Sequence, residues 1–180
     1  MSAARLIKYL HLAYFAKPLA DRAIYRTIRK IHAGNLVAIG LGDGQLATNM
    51  VLLAQQDATV PQVQFTGIDL FEMRPDSGSL SLKQAHRMLH CLGAPTRLVP
   101  GDPFAALART ANSLLDTDLV VIRADQLGAS MDRAWFYLPR MLHDQSLVLV
   151  EQPEGGDYAV LDRQAVQQRA NATVPQRRAA

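Results

Sequence analysis

The chain has 180 residues, of which 49% are hydrophobic and 19% are charged, and these values are typical of one globular domain with a sizeable core. The sequence contains no internal repeat, no low-complexity segment and no apolar run of the roughly 18 residues that a membrane-spanning helix needs. Cys91 is the single cysteine, which excludes a disulfide within the chain. Because no signal peptide is recognisable, the sequence predicts a cytoplasmic protein with no membrane span.

Positive charge is concentrated at the start of the chain. Up to Gly34 there are seven basic residues and one acid, Asp21, so this segment carries a net charge of +6, whereas the whole chain carries +3. Such a segment suits nucleic acid, an acidic lipid surface, an acidic partner or a solvated helix face, and we favour the solvated face. Aromatic residues are not interleaved with the basic ones as in a base-stacking platform, which argues against a nucleic-acid partner.

Helices and strands follow one another in a regular order. Two helices are predicted first, over 4–16 and 19–31, with Pro18 at the start of the second. The predicted strands cover 35–40, 63–69, 96–101, 118–124 and 146–152, with a candidate sixth at 157–162, and the predicted helices between them cover 45–56, 81–93, 103–115 and 130–142. Residues 1–34 are therefore expected to be a helical segment packed on a Rossmann-like domain of residues 35–166. Residues 167–180 are expected to be a flexible basic tail.

Short, almost wholly apolar strands separated by helices indicate a parallel sheet that is covered on both faces. The predicted fold class is therefore α/β, with three layers and a doubly wound, mainly parallel sheet. Such folds bind ligands beyond the carboxyl ends of their strands, where the strand order reverses. Functional residues are therefore expected at the carboxyl ends of the strands.

The first sheet strand ends in a glycine turn, "VAIGLGDG", with Gly40, Gly42 and Gly44 on alternate positions before a helix. Glycines there allow close backbone approach to a ligand, and the helix N-terminus offers free N–H groups. The alternative is a turn that is merely tight. The pattern is G-x-G-x-G rather than the G-x-G-x-x-G of dinucleotide sites, and Asp69 follows Gly44 by 25 residues, so NAD fits poorly.

The glycine turn and the ends of the next two strands together resemble a known family. The stretch "VAIGLGDG", followed by "GIDLFE" and then "PGDPF", resembles the class I S-adenosylmethionine-dependent methyltransferases, and the resemblance extends over residues 36–151. It implies S-adenosylmethionine binding at the carboxyl ends of the first three strands. The implied cofactor-binding residues are Gly40, Gly42 and Gly44 beside the methionine part, Asp69 on the ribose hydroxyls, Asp102 on the adenine amine, and Leu70 and Phe104 as apolar walls for the adenine.

Two of these acids also have simpler roles open to them. A carboxylate at Asp69 can accept two ribose hydrogen bonds at once, but it could instead cap the loop that follows. Asp102 precedes Pro103 and is a good helix N-cap whatever else it does. For Asp102 the two roles can coexist.

A second resemblance concerns the transfer step itself. The stretches "GIDLFEMRP" and "VVIRADQLGASMDRAWFYLPRML" look like segments of macrocin O-methyltransferase-type enzymes. In that group, acids after the fourth and fifth strands bind a divalent metal, which acidifies a substrate hydroxyl. Oxygen ligands of this kind would suit magnesium. The resemblance makes Asp125 the one candidate for a catalytic base or a metal ligand.

The chain departs from these families at several positions. Ala38 stands where an acid usually precedes the glycine turn, and Leu127 stands where a second metal-binding acid is expected. Glu151 and Glu154 are separated where paired acids are expected after the fifth strand. Of the antiparallel sixth and seventh strands of full members, residues 158–161 alone remain, so we expect a truncated strand pair.

Other residues that invite a functional interpretation have simpler ones. His86 and His90 are four residues apart on one predicted helix, a spacing that can bind a metal, but no third ligand is evident and an ordinary helix face is favoured. His143 is expected in the turn before the fifth strand, with a structural role. Trp135 and Phe136 are expected to pack against the sheet.

Two functional hypotheses from different classes follow. The first is a methyltransferase that acts on a small molecule, most plausibly at oxygen. The second is a catalytically silent module that keeps the fold and the cofactor, and RNA methylation is a distant third. Convergence of Arg123, Asp125 and Glu151 on an open pocket would favour the enzyme, whereas a pocket closed by side chains would favour the module.

Overall fold

The computed structural model describes residues 3–15, 17–74, 80–154 and 156–173. The strands of this part are β1 Asn35–Ile39, β2 Gln64–Asp69, β3 Thr96–Pro100, β4 Thr117–Ile122, β5 Leu142–Glu151 and β6 Tyr158–Asp162. The helices are α1 Ala3–Phe15, α2 Asp21–Lys30, α3 Gln45–Ala54, α4 Leu82–His90, α5 Pro103–Thr110, α6 Ala129–Ala134 and α7 Arg163–Thr173. None of the described helices is both long enough and apolar enough to cross a membrane.

The strands form one sheet in the order β3-β2-β1-β4-β5-β6. The first five strands pair in parallel, and β6 pairs antiparallel to β5. The strand order reverses between β1 and β4, so the carboxyl ends of these two strands border the crevice in which doubly wound folds bind ligands. The predicted α/β class, with its mainly parallel sheet and two leading helices, is confirmed.

Each central strand contributes side chains to two cores, one on each face of the sheet, and this is why its sequence is apolar at every position. In β1, Leu36 and Ala38 belong to one buried cluster, and Val37 and Ile39 belong to the other. Successive side chains of a strand point to opposite faces, so the two clusters are the interfaces of the sheet with its two helical layers. Helices α2, α3 and α4 contribute to the first core, and α5, α6 and α7 contribute to the second.

The second leading helix is part of this packing. Ile24, Tyr25 and Ile28 of α2 are at most 2% exposed and belong to the same core as Met50 of α3. These residues recur at helical spacing along α2, so one face of the helix is apolar. Helix α2 is thereby fixed beside the glycine turn and against the sheet.

The end of the chain differs from the prediction. Residues 167–173, which the sequence analysis assigns to a flexible tail, continue α7, and residues 174–180 lie outside the described residues. The physical reason is that Val166 and Ala170 are four residues apart on one helix face and are buried at 0% and 3% exposure. Two small apolar residues among polar ones give a weak periodic signal.

The segment before β5 also differs. The helix predicted over 130–142 ends at Ala134 and is followed by a 3₁₀ turn that contains Pro139, since proline cannot continue an α-helix. Strand β5 begins at Leu142 rather than at residue 146, so the expectation that His143 lies in a turn is wrong. His143 Nε2 lies 3.0 Å from Asp118 Oδ1, a contact that ties β5 to β4.

The two neighbouring aromatic residues after α6 differ in burial. Trp135 is fully buried in the second core, as expected. Phe136 is 45% exposed and has the Arg140 guanidinium carbon 4.7 Å from its ring centre, so the expectation that it packs against the sheet is wrong. Adjacent residues at the end of a helix point in different directions, so one of the pair must face outward.

Candidate functional site

The three glycines of the turn after β1 share a positive φ but differ in their surroundings. All three have positive φ, at +89° for Gly40, +58° for Gly42 and +82° for Gly44. A Cβ on Gly40 would lie 2.8 Å from Gln126 Cγ, and one on Gly44 would lie 3.0 Å from Leu80 Cδ2. A Cβ on Gly42 would meet no heavy atom of the described residues within 4 Å. Two of the glycines are therefore needed for packing, and Gly42 is the one that borders open space.

Asp69 at the end of β2 is buried and already holds several donors. Its Oδ2 accepts from the Leu41 N–H at 2.6 Å, and its Oδ1 accepts from the Phe71 N–H at 3.0 Å. Arg74 adds two more hydrogen bonds, from Nε to Oδ1 at 2.8 Å and from Nη2 to Oδ2 at 3.0 Å. Burial acts to raise the pKa of this carboxyl, but the bonds from Arg74 and the two backbone groups outweigh burial and lower that pKa. Asp69 is thus ionised, and it organises the turns after both β1 and β2.

Asp125, the candidate base, is bound by the same arginine. Arg74 Nη1 lies 2.7 Å from Asp125 Oδ2, and Gln126 Nε2 donates to that oxygen at 3.2 Å. The Asp125 side chain is 45% exposed, whereas that of Arg74 is 16% exposed. One guanidinium therefore bridges the acid after β2 and the acid after β4. Sequence reasoning missed this role of Arg74, whose sole signal is its position in "FEMRP".

Asp102 is the N-cap of α5, as the sequence allows. Its Oδ1 accepts from the N–H groups of Phe104 at 3.1 Å and Ala105 at 3.2 Å, and from the Ser130 hydroxyl of α6. The Ser130 bond is the main reason that the pKa of Asp102 is lowered. No described residue donates a hydrogen bond to the other carboxylate oxygen, so capping leaves an acceptor unused.

Leu70 and Phe104, the residues expected to wall the adenine, lie just beyond β2 and at the start of α5. Leu70 is half-buried directly after Asp69. Phe104 is half-buried at the start of α5, and the Arg133 guanidinium carbon lies 3.7 Å from its ring centre. That face of Phe104 is therefore covered by a cation–π contact.

A cleft of about 220 Å³ opens on the other side of the glycine turn. It lies between α2 and the start of α3, and it is lined by Lys17, Pro18, Asp21, Tyr25, Leu41, Gly42, Asp43, Gln45, Leu46, Asn49 and Arg123. Asp21 is 5% exposed, and its Oδ1 lies 3.9 Å from Arg123 Nη1. Helix α2 thus brings an acid to the carboxyl end of the sheet.

The groups around this cleft are desolvated. Burial raises the pKa of the Asp21 carboxyl, while the Arg123 charge opposes that rise. Burial also raises the pKa of Tyr25 to about 12, and the Tyr25 hydroxyl accepts a hydrogen bond from Asn49 Nδ2 at 3.1 Å. The buried Tyr158 hydroxyl lies near Asp21 and acts to lower the pKa of that carboxyl, although it has no hydrogen-bond partner of good geometry among the described residues.

Arg123, Asp125 and Glu151 do not converge on one pocket. Arg123 lines the cleft and donates from Nε to Glu151 Oε2 at 2.8 Å, and that oxygen also accepts from the Ala124 N–H at 2.9 Å. Asp125 faces Arg74 instead. The convergence expected for the enzyme is therefore not found: Arg123 lines the cleft, whereas Asp125 and Glu151 do not.

The donor set does not fit a magnesium ion. Within the described ranges, no group of three or more His, Cys, Asp or Glu side chains is arranged to hold a metal. One oxygen of Asp125 is engaged by Arg74, and one oxygen of Glu151 is engaged by Arg123 and the Ala124 N–H. His86 and His90 stack on each other on α4 with ring centres 5.4 Å apart.

Several solved structures are similar to this chain. A TehB-like S-adenosylmethionine-dependent methyltransferase from Corynebacterium glutamicum has a TM-score of 0.53 and 16% identity, over 94% of this chain and 80% of its own. A Staphylococcus aureus protein named as a caffeoyl-CoA O-methyltransferase has a TM-score of 0.57 and 14% identity, over 95% and 80%. A Plasmodium falciparum protein named as a protein-L-isoaspartate O-methyltransferase, in complex with S-adenosyl-L-homocysteine, has a TM-score of 0.51 and 8% identity, over 87% and 78%.

No protein-family model and no curated protein matches the chain. The similarity is therefore one of structure, and at these identities it shows the fold alone. The strand order, the glycine turn after β1 and the acid after β2 agree with the resemblance in the sequence. The chain has the fold of the class I S-adenosylmethionine-dependent methyltransferases.

Proposed function

We propose that this chain binds S-adenosylmethionine across the carboxyl ends of β1, β2 and β3 and transfers its methyl group to a small-molecule acceptor. The observation that carries the proposal is Gly42, which has φ +58° and borders open space one residue from the Leu41 N–H that Asp69 accepts. An elongated ligand can lie against this backbone, with Asp69 on one side and the cleft on the other. The proposal assigns Gly40, Gly42, Gly44, Asp69, Leu70 and Asp102 to the cofactor site.

The residues present fit a ribose at Asp69. Arg74 offers two N–H donors to the two oxygens of Asp69, at 2.8 Å and 3.0 Å. A ribose with two free hydroxyls offers the same number of donors to the same pair of acceptors. Ribose binding would therefore exchange one pair of donors for another and leave the backbone bonds to Leu41 and Phe71 in place.

The chain's own residues have distinct tasks in this proposal. Asp69 orients the ribose, and the free oxygen of Asp102 accepts from the adenine amine. The bound cofactor supplies a methyl group on a positively charged sulfur. An acceptor that is a hydroxyl must lose its proton, and Asp125 could receive it at Oδ2 once Arg74 has moved away.

Oxygen is the proposed acceptor atom, and a small molecule is the proposed acceptor. Both follow the resemblance of "GIDLFEMRP" to the macrocin group, and two of the similar structures carry names of O-methyltransferases. Because the donor set does not fit a metal, no step is assigned to magnesium. The proton of the acceptor hydroxyl would then be taken up by a side chain of this protein.

The silent module is a second candidate, and one observation favours it. Arg74 engages both the acid that would hold the ribose and the acid that would serve as the base. A protein that binds the cofactor without transferring its methyl group would have no need to release Asp125. Turnover with an acceptor separates this candidate from the enzyme.

Calorimetric titration with S-adenosylmethionine and S-adenosylhomocysteine tests the proposal. We expect the parent protein to bind both ligands and Asp69→Ala to lose at least about tenfold in affinity, since each charge-assisted hydrogen bond contributes about 1.5–3 kcal/mol. Asp144→Ala, whose side chain is 90% exposed on β5, is the matched control and should bind as the parent does. A folded parent protein that binds neither ligand would refute the proposal.

A further inference from the structure

The end of α1 and the turn into α2 carry a patch of exposed apolar side chains. Nine large apolar side chains are exposed among the described residues, and five of them lie within residues 7–19, at 41–71% exposure: Ile7, Leu10, Tyr14, Phe15 and Leu19. Single exposed apolar residues are normal, but a contiguous group usually marks an interaction surface. We propose that this patch, the apolar tip, docks on the surface of a lipid bilayer that contains anionic phospholipids. Such docking is independent of the proposed methyl transfer.

Helix α1 has two apolar faces, and one of them packs on the fold. Leu12 and Ala13 are 7% and 1% exposed, and Leu12 belongs to the first core. Ile7, Leu10 and Tyr14 are three and four residues apart, so they share a second face that points to solvent. A solvated helix face, which the sequence favours for this segment, is typically polar. The apolar second face is therefore suited to an apolar partner.

The apolar tip continues into a groove of about 320 Å³ between the end of α1 and α2. Tyr14 and Leu19 line this groove. Arg22 and Arg26 line it as well, and they outnumber its one acid, Asp157. Arginine binds phosphate through a planar set of N–H donors, and an aliphatic chain can lie against apolar side chains. A phospholipid combines an anionic phosphate with aliphatic chains, so its chemistry matches both parts of the groove.

Charge distinguishes a lipid surface from a second copy of the chain. Residues 1–34 carry a formal net charge of +6, and their one acid, Asp21, is buried, whereas Lys17 and Arg26 are exposed. Two copies that met through the apolar tip would bring two such charges together and repel each other. An anionic bilayer instead attracts the segment, and each basic residue near its surface strengthens binding about fivefold. Nucleic acid would also attract the charge, but it would leave the apolar side chains in water.

Sedimentation with large unilamellar vesicles measures this docking. We expect the parent protein to bind vesicles with about 30% phosphatidylserine at least about tenfold more tightly than vesicles of phosphatidylcholine alone, because several basic residues act together. Phe15→Ser/Leu19→Ser should weaken binding to the phosphatidylserine vesicles at least about tenfold, since two apolar side chains no longer enter the bilayer. Arg26→Gln should weaken the same binding about fivefold, since one charge is lost.

Leu115→Ser is the matched control. Leu115 is 60% exposed before β4, at the amino end of the sheet, whereas Lys17 beside the apolar tip lines the cleft at the carboxyl end. This variant should bind vesicles as the parent does. Thermal unfolding checks that each variant is folded, and Leu19→Ser alone replaces the double variant if the latter does not fold.

A parent protein that binds neither kind of vesicle, or binds both equally, would overturn the proposal, as would a Phe15→Ser/Leu19→Ser variant that binds like the parent. A parent that stays off vesicles but forms a dimer that this variant dissociates would overturn it and assign the apolar tip to a second copy of the chain. A parent that binds single-stranded RNA and no vesicles would overturn it in favour of nucleic acid. None of these outcomes bears on cofactor binding, which calorimetry tests separately.

Discussion

Arg74 donates from Nε to Asp69 Oδ1 and from Nη2 to Asp69 Oδ2, so that both oxygens of the acid after β2 are occupied by one side chain. A ribose must displace these donors before it can bind Asp69. Replacement of Arg74 by Gln should therefore raise the affinity for S-adenosylhomocysteine, by about three- to tenfold, as a competing charge-assisted contact is removed. Calorimetry measures the change.

The control for this prediction is Arg163→Gln, whose side chain is 47% exposed and pairs with Asp144 away from the site. It should leave the affinity unchanged. Weaker binding by Arg74→Gln would contradict the prediction, because it would mean that Arg74 contacts the ligand instead of competing with it.

The three glycines should respond differently to substitution. Gly40→Ala places a Cβ 2.8 Å from Gln126 Cγ and 2.9 Å from Arg123 Cβ at φ +89°, so we expect a loss of about 2–3 kcal/mol in stability. Gly42→Ala has space at φ +58° and should cost about 1 kcal/mol for the left-handed backbone. The added methyl group of Gly42→Ala should instead weaken cofactor binding.

Urea denaturation and calorimetry, applied to both glycine variants, check this prediction. A Gly42→Ala variant that binds S-adenosylhomocysteine as tightly as the parent would show that the ligand does not pass over this backbone. The proposed path between Asp69 and the cleft would then be wrong.

Asp125→Asn separates the enzyme from the silent module. The variant keeps the shape of the side chain but removes the charge that could accept a proton, so turnover should fall by about 10²–10⁴-fold. Affinity for S-adenosylmethionine should stay within a factor of a few, since the proposed polar contacts of the cofactor lie on β1 to β3. A screen of catechols, phenols and hydroxylated sugars with radiolabelled cofactor supplies the acceptor.

A variant that transfers methyl groups as fast as the parent would remove Asp125 from the mechanism. A parent that binds the cofactor and methylates nothing in this screen, with or without magnesium, would favour the module.

Asp57, in the turn after α3, makes stability depend on pH. Burial acts to raise its pKa, but hydrogen bonds from Thr59 and His32 and the charge of Arg29 lower the pKa to about 2. Because the folded pKa lies below the unfolded value, this stabilisation is present above the unfolded pKa and is lost as pH falls through about 2. We expect Asp57→Asn to cost about 1–2 kcal/mol at pH 7 and much less near pH 2.

Urea denaturation of parent and Asp57→Asn across this pH range checks the prediction, with Asp144→Asn as the exposed control. A constant difference between parent and Asp57→Asn from pH 7 to pH 2 would contradict it. Arg29 lies 3.2 Å from Asp57, so part of the positive charge of the leading segment is used within the fold.

The parallel sheet could be predicted because short, mostly apolar strands alternate with helical patterns from β1 to β5. The N-cap at Asp102 is a local signal, and it is confirmed. The contacts of Arg74 and Asp21 could not be predicted. They depend on Phe71, which is buried at φ +49°, and on how α2 packs against α3, and neither leaves a periodic pattern.

Helix α2 carries Asp21 into the cleft and Ile24, Tyr25 and Ile28 into the first core, so it cannot respond to a ligand as an independent appendage. A ligand that enters the cleft meets Asp21 only when α2 is docked, so its binding free energy adds to the free energy of undocking. The amide hydrogens of α2 should then exchange with solvent more slowly when a ligand occupies the cleft. A helix near the start of the chain thus becomes a reporter of occupancy at the carboxyl edge of the sheet.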